Sequence, residues 1–400
     1  MQVNLHKNAR TTPAIRRKPQ ASTEPTRLLA ERYNLSTLTV RKWRERADTE
    51  DASHRPHTLH ANLSPAPATP RCKLRPWIDR SETKGNETMK TPQIAIIGAG
   101  MTGLACARAL TDAGYAPVVF DKGRGIGGRL ATRRTAEGWQ FDHGAQYITA
   151  ASPGFQTLLE QAERAGALAR WADGGTRPHL VGTPGMTGLA SYLGRGIAIR
   201  QGVEVRALHA TAQGWALHLA EGTALFERVV VTIPAPQLVD LLEPAQPLTK
   251  AVAHVRLDPC LTLMAAFDPD TPRPFISQAD AEAPLAWIAQ DSSKPGRPAP
   301  VCWIAQASPA WSAAHLALDP EVIVARMLPL LCERLGTTTD AVRYAAAHRW
   351  RYARVAVPLG RPFVRDPSGT LYAGGDWCLE ARVEAAWRSG EAIARDIIGG

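Results

Sequence analysis

Three glycines, an aspartate and a basic cluster have the types and spacing to hold a phosphorylated cofactor. In Ile94-Ala-Ile-Ile-Gly98-Ala-Gly100-Met101-Thr102-Gly103 an apolar strand breaks into glycines and restarts as a helix. Gly98 suits the tight turn, Gly100 lets the backbone approach a pyrophosphate, and Gly103 lets the helix pack closely on the strand. The helix is expected from about Met101 to Ala113, with its free N–H groups and dipole facing the phosphates. Asp121 ends a second apolar run, Ala116–Phe120, 18 residues beyond Gly103. That is close to the position that accepts from a ribose hydroxyl, so the spacing predicts a dinucleotide site.

Lys122-Gly-Arg124-Gly-Ile-Gly127-Gly128-Arg129 follows at once. A nicotinamide dehydrogenase has no use for a second glycine and arginine cluster. FAD is longer, and backbone N–H groups with a cationic fork are needed at its second phosphate. Alone, the same stretch would read as a flexible basic loop. The loop Gly182–Gly188 lacks the glycine spacing and the preceding strand, so any nicotinamide species would have to meet the flavin as a substrate. Flavin hydride chemistry needs no protein nucleophile, only a donor C–H bond held over the ring. Candidate pocket walls are Tyr147, Trp287, Trp350, Tyr352 and Trp377, with Arg354 as an anion clamp. For each aromatic taken singly, core packing is the competing role. His143 stays open between a structural and a pocket role. The 11 histidines show no metal-ligand spacing.

The chain resembles the renalase branch of the flavin amine oxidase superfamily. The likeness is carried by GAGMTG at 98–103, DK at 121–122, GGR at 127–129 and GAQY at 144–147. Further matches are PGM at 184–186, Pro-Ala-Pro at 234–236, HRW at 348–350 and GGDWC at 374–378, so the likeness spans about 92–400. It implies non-covalent FAD contacted by Gly144, Ala145, Gln146 and Tyr147, by the backbone at Val205, and at Pro234. It places Gly375 and Asp376 at the ribityl and phosphate region. The helix start at Arg382, Val383 and Glu384 would point at the flavin N1/O2 edge, where a positive helix end favours a reduced anionic ring. The implied reaction oxidises 2- or 6-dihydro isomers of NAD(P) to NAD(P)+, with O2 accepting the electrons to give hydrogen peroxide. Gln290-Asp291-Ser292 departs from the more basic, amide-bearing run of that branch, and Cys378 does not match the covalent cysteine of monoamine oxidases. The alternative reading is oxidation of a small amine.

The expected fold class is α/β: a Rossmann-type FAD-binding domain with an inserted α+β substrate domain, as in amine oxidases and p-hydroxybenzoate hydroxylase. FAD-binding segments are expected at 90–150, 181–244 and 363–400, with substrate-domain segments at 151–180 and 245–362. Residues 155–171 read as an amphipathic helix, and Gly202–Arg206 and Val229–Val231 as strands. Leu261–Phe267, Leu285–Ala289 and Val301–Gln306 read as further strands, Val322–Leu335 as a helix kinked at Pro329, and Val383–Ile398 as a C-terminal helix.

The formal net charge of +10 is concentrated in the leading segment. Residues 1–88 hold 17 Lys/Arg and 9 Asp/Glu, which leaves 30 basic and 28 acidic groups in the other 312 residues. Residues 1–64 resemble the helix-turn-helix end of an insertion-sequence transposase. Thr26–Asn34 and Thr37–Arg44 are its helices, Ala30, Asn34 and Val40 its packing and turn residues, and Arg41, Lys42 and Arg44 its phosphate-facing groups. Pro19 would break an earlier helix of that pattern, and DNA binding is not the expected role. A proline-rich disordered linker is expected at 65–89, and Met89 reads like a start before the enzyme. No apolar run is long enough to span a bilayer and no signal peptide is legible, so a cytoplasmic, soluble enzyme is expected. The six cysteines read as free thiols of a reducing compartment.

Overall fold

Ile94–Ile97 carries no polar side chain and is buried along its whole length, as a strand covered on both faces must be. In the computed structural model, which describes residues 22, 24–32, 40, 44 and 94–400 apart from 176 and 299, this strand lies inside a six-stranded sheet. The order across the sheet is Val364–Arg365, Leu371–Ala373, Arg228–Val231, Ile94–Ile97, Val118–Asp121 and Ala198–Gln201. All neighbours are parallel except the first pair. Alternation along Ile94–Ile97 divides the core. Ile94 and Ile96 join Leu104, Leu110 and Ile393 on one face, while Ala95 and Ile97 join Trp215, Leu238 and Trp377 on the other.

The carboxyl ends of neighbouring parallel strands are where such sheets bind ligands. Here Gly98 follows the first of them, Asp121 ends the next, and Gly374 and Gly375 follow Leu371–Ala373. The helix Met101–Asp112 packs against the C-terminal helix Val383–Gly399 so closely that a Cβ on Gly390 would overlap the Thr102 carbonyl oxygen.

A second, antiparallel sheet has the order Ser277–Ala279, Leu285–Gln290, Val301–Ala307, Arg256–Phe267 and Val342–Val357. On one face, Leu261, Leu263, Ala265 and Trp303 meet Ile323, Met327 and Leu331 of the helix Pro320–Leu335. On the other, Met264, Ala266 and Ile304 meet Phe141 of the strand Gln140–Asp142. Gln140–Asp142 pairs with Thr132–Arg134 in a separate two-stranded ribbon, so that second contact seats this ribbon on the antiparallel sheet, beside the candidate site.

Two local expectations are corrected. The helix expected over 155–171 is Pro153–Arg164. Gly166, at φ 71°, turns the chain, and Leu168–Trp171 then pairs as a strand with His179–Gly182. The strand expected at Gly202–Arg206 lies earlier, at Ala198–Gln201, because Gly202 at φ 70° ends it. The helix expected from Val322 starts two residues earlier, and Pro329 lies inside it, Pro320–Leu335.

The described residues up to 44 belong to a separate unit. Thr26–Arg32 is helical, and Leu29, Ala30 and Val40 are buried together. Arg44 was expected to face phosphate. It instead donates to Thr26 Oγ1 at 3.1 Å and to the carbonyl oxygens of Ser22 and Glu24, which precede the helix. Asn34, Arg41, Lys42 and the 65–89 linker lie outside the described residues.

Candidate functional site

Gly98 adopts φ 105° and its N–H bonds the Phe120 carbonyl at 2.8 Å, so the turn leaves the sheet directly beside the second strand. A Cβ on Gly103 would overlap the Gly98 carbonyl oxygen, whereas a Cβ on Gly100 would meet nothing within 4 Å. That open space above Gly100, at the start of a helix whose N-terminus has no side-chain cap, is the shape and polarity that a pyrophosphate needs. Met101 and Thr102 have buried side chains, so only their backbone N–H groups are suited to it. Asp121 Oδ2 accepts from Ala99 N–H and Oδ1 from Gly123 N–H, each at 2.6 Å. An ionised carboxylate has about four acceptor directions, so a ribose hydroxyl still has a partner there.

The second glycine cluster stacks on the first. Gly127 N–H donates to Ala99 O at 2.8 Å, and a Cβ on Gly128 would lie 3.4 Å from Gly100 Cα. Two N–H-rich turns therefore meet at one place. Lys122 and Arg124 are exposed beside them. Arg129 differs from expectation. Its guanidinium is paired with Asp376 at 2.6 and 2.7 Å and with Ala353 O at 2.8 Å, so the fork expected at a phosphate ties three segments together. Bidentate carboxylate geometry matches the guanidinium edge, which accounts for the pairing. Asp376, expected at the ribityl region, is the other half of that pair. Gly375 is buried just before it.

Gly144 and Ala145 lie against the Arg129 backbone, with Ala145 N–H on Arg129 O at 2.8 Å. The Gln146 side-chain amide is bonded within its own loop and to Lys294, so it supports the loop. Val205 is buried and Pro234 caps the short helix Ala235–Val239. At the C-terminal helix, Arg382 donates to Thr149 Oγ1 at 3.2 Å and Val383 is half-buried. Glu384 is buried at the same helix start. Its carboxylate accepts from Ala151 N–H at 2.6 Å and Ser152 N–H at 2.8 Å. Burial opposes its charge, but those bonds hold it below the usual glutamate range. The helix start still presents backbone N–H groups.

The aromatic residues divide. Tyr147 stacks on His179 at 3.7 Å and lies 5.5 Å from Trp287, whose indole nitrogen is buried without a partner. Trp350 stacks on His143 at 5.3 Å and donates to the His143 carbonyl at 2.7 Å. His348 meets both rings edge-on. Burial, then the charges around them, pushes His143 and His348 down to about 4, so both are neutral near pH 7. Tyr352 is half-buried and Arg354 exposed on the same strand. Trp377 is corrected from pocket wall to core. It is 1% exposed, packed in the main cluster, and bonded to Ile233 O at 3.0 Å.

Sequence reasoning missed a buried ionic cluster next to this loop. Asp142, Asp291, Lys294 and Arg297 all have side chains at most 1% exposed. Burial raises the Asp142 pKa but Lys294 and Arg297 outweigh it and hold it low. Asp291 is raised by burial and by the Asp142 charge. A signal was present: Asp291 directly follows the mostly apolar strand Leu285–Gln290, where a carboxylate needs a buried partner.

Residues 96–162 match the NAD(P)-binding Rossmann-like domain, and residues 162–398 match the flavin containing amine oxidoreductases. The chain belongs to the flavin containing amine oxidoreductase family, a class of FAD-dependent oxidoreductases. A 15-cis-phytoene desaturase from Synechococcus elongatus is 33% identical over 69 residues, 17% of this chain, and the match spans 15% of the desaturase. Cyclohexylamine oxidase from Brevibacterium oxydans shares the fold at TM-score 0.60 and 15% identity, over 77% of this chain and 99% of that one. Putrescine oxidase bound to putrescine does so at TM-score 0.59 and 15% identity, over 78% and 99%. Among the described residues, no helix is long and apolar enough to cross a membrane.

Proposed function

We propose that residues 94–400 form an FAD-dependent oxidase that takes a hydride from a C–H bond beside nitrogen. Bound FAD would supply the hydride acceptor, with O2 as the final electron acceptor and hydrogen peroxide as its product. The observation that carries this reading is the meeting of two glycine turns, at 98–103 and 127–128, in front of open space. Their N–H groups would hold the pyrophosphate, Asp121 a ribose, and the backbone near Val205 the adenine. Tyr147, beside the 144–147 backbone, would face the ring, and the helix start at 382–384 would favour negative charge at the ring edge. The proposed division assigns 90–150, 181–244 and 363–400 to cofactor binding, and 151–180 and 245–362 to the substrate side.

The comparisons favour a small amine as donor, since the folds of putrescine oxidase and cyclohexylamine oxidase are shared. Hydride loss requires the neutral amine. Two neutral histidines and the Arg133 charge near them disfavour an ammonium and so favour that form. The second reading, a 2- or 6-dihydro isomer of NAD(P), is supported by the motifs and by the Tyr147–Trp287 pair, which suits a flat ring, with exposed Arg354 suited to a phosphate. Hydrogen peroxide release in air, measured for small amines and for dihydronicotinamide isomers, separates the two. Release with amines alone supports the first, and release with the isomers alone supports the second. The helix-turn-helix reading of residues 1–64 rests on the sequence resemblance, and salt-dependent retention on duplex DNA tests it.

A further inference from the structure

Lys294 is wholly buried, and its ammonium has three acceptors: Asp291 Oδ1 at 2.7 Å, Gln146 Oε1 at 3.2 Å and Asp142 Oδ2 at 3.4 Å. An ammonium has three protons and accepts nothing, so each proton has one carbonyl or carboxylate oxygen. The Gln146 amide is thereby fixed in one orientation. Its Oε1 must face Nζ, and its Nε2 donates to Asp142 O at 2.6 Å and Gly144 O at 3.0 Å. From Gly144 the connection continues. Gln306 Nε2 donates to the Gly144 carbonyl at 2.6 Å, and the adjoining Ala145 N–H meets Arg129 O, whose side chain holds Asp376.

The rest of the cluster holds Lys294 in place. Arg297 donates to Asp142 Oδ2 at 2.6 Å and to Gly182 O at 2.8 Å, and Asp142 N–H donates to Asp291 Oδ2 at 3.0 Å. Two carboxylates and two cations are thus buried together, which is costly where an apolar cluster would serve packing alone. Their arrangement specifies a loop conformation.

We propose that Lys294 is a positioning residue that sets the 144–147 loop against the FAD ring through Gln146. This rests on the reading that 144–147 faces the cofactor. Met at 294 would leave two carboxylates against one cation, so the test uses the charge-balanced variant Asp291→Asn/Lys294→Met, with Gln146→Leu as a break at the other end of the same link. FAD affinity is measured by titrating the apoprotein, together with the visible spectrum of the bound flavin and the apoprotein melting temperature. Each variant is expected to weaken FAD about tenfold and shift the spectrum, which is one charge-assisted hydrogen bond lost. The combined variant is expected to lose no more than either, because both break one link. Unchanged affinity and spectrum in Asp291→Asn/Lys294→Met overturns the proposal, as do losses that multiply to about a hundredfold. A wild-type protein that takes up no FAD overturns the functional reading first, and this proposal with it.

Discussion

Arg129 and Asp376 lie 247 positions apart in the chain and close a bidentate ion pair with contacts of 2.6 and 2.7 Å. The pair joins the second glycine cluster to the turn before the C-terminal helix, two segments both expected near the phosphate and ribityl part of the cofactor. Asp376→Asn keeps an acceptor oxygen but removes the charge. It is expected to lower stability by about 2 kcal/mol, less than a wholly buried pair because the Arg129 side chain is 31% exposed. Flavin retention should fall with it. Urea unfolding of the apoprotein and flavin release on gel filtration check the two effects separately.

Gly100 and Gly103 separate cofactor binding from folding. Gly103→Ala forces a methyl into the Gly98 carbonyl and should cost about 3 kcal/mol of stability. Gly100→Ala meets no protein atom, and at φ −77° its backbone suits alanine. Stability should change by less than about 0.5 kcal/mol. FAD affinity should still fall at least about tenfold, because the methyl fills the space required by the pyrophosphate. Melting of the apoprotein and FAD titration together read this pattern.

Local periodicity and glycine chemistry were legible in the sequence. The strands at 94–97 and 228–231, the glycine-turn helix and the C-terminal helix follow from apolar runs bounded by turn residues. What was not legible is how side chains choose among distant partners. Arg129, Gln146 and Glu384 sit in cofactor motifs, yet each bonds protein groups brought near only by the tertiary fold. Trp377 reads the same as Trp287 in sequence, and only packing separates a core indole from a wall. Lys294 was missed because the three acceptors that define its role come from two separate segments.

His143 and His348 give a pH signature. Their ring centroids are 4.7 Å apart, and both are lowered from 6.5 to about 4. Between those values the unfolded chain binds protons that the folded chain excludes, so stability falls as pH drops from about 6.5 toward 4. Asp142, with its lowered pKa, contributes stability that is lost below the ordinary 3.8, outside that window. The melting temperature of His143→Asn/His348→Asn should therefore vary less than wild type between pH 6.5 and 4. Parallel slopes in the two proteins would remove the pair from the account.

Cys378 lies beside the glycines of 374–375, but burial pushes its thiol up to about 12, so it is not a thiolate nucleophile at neutral pH. Acid precipitation should leave the yellow flavin in the supernatant. Colour that stays with the pellet shows a covalent bond.

The central claim is hydride transfer from a C–H bond beside nitrogen to FAD in this fold. Anaerobic mixing of the FAD-loaded protein with small amines, and separately with 2- and 6-dihydro isomers of NAD(P), tests it in a single turnover. The yellow flavin should bleach with one donor class and regain its colour when O2 is admitted. A flavin that stays yellow with every such donor, yet bleaches with dithionite, contradicts it.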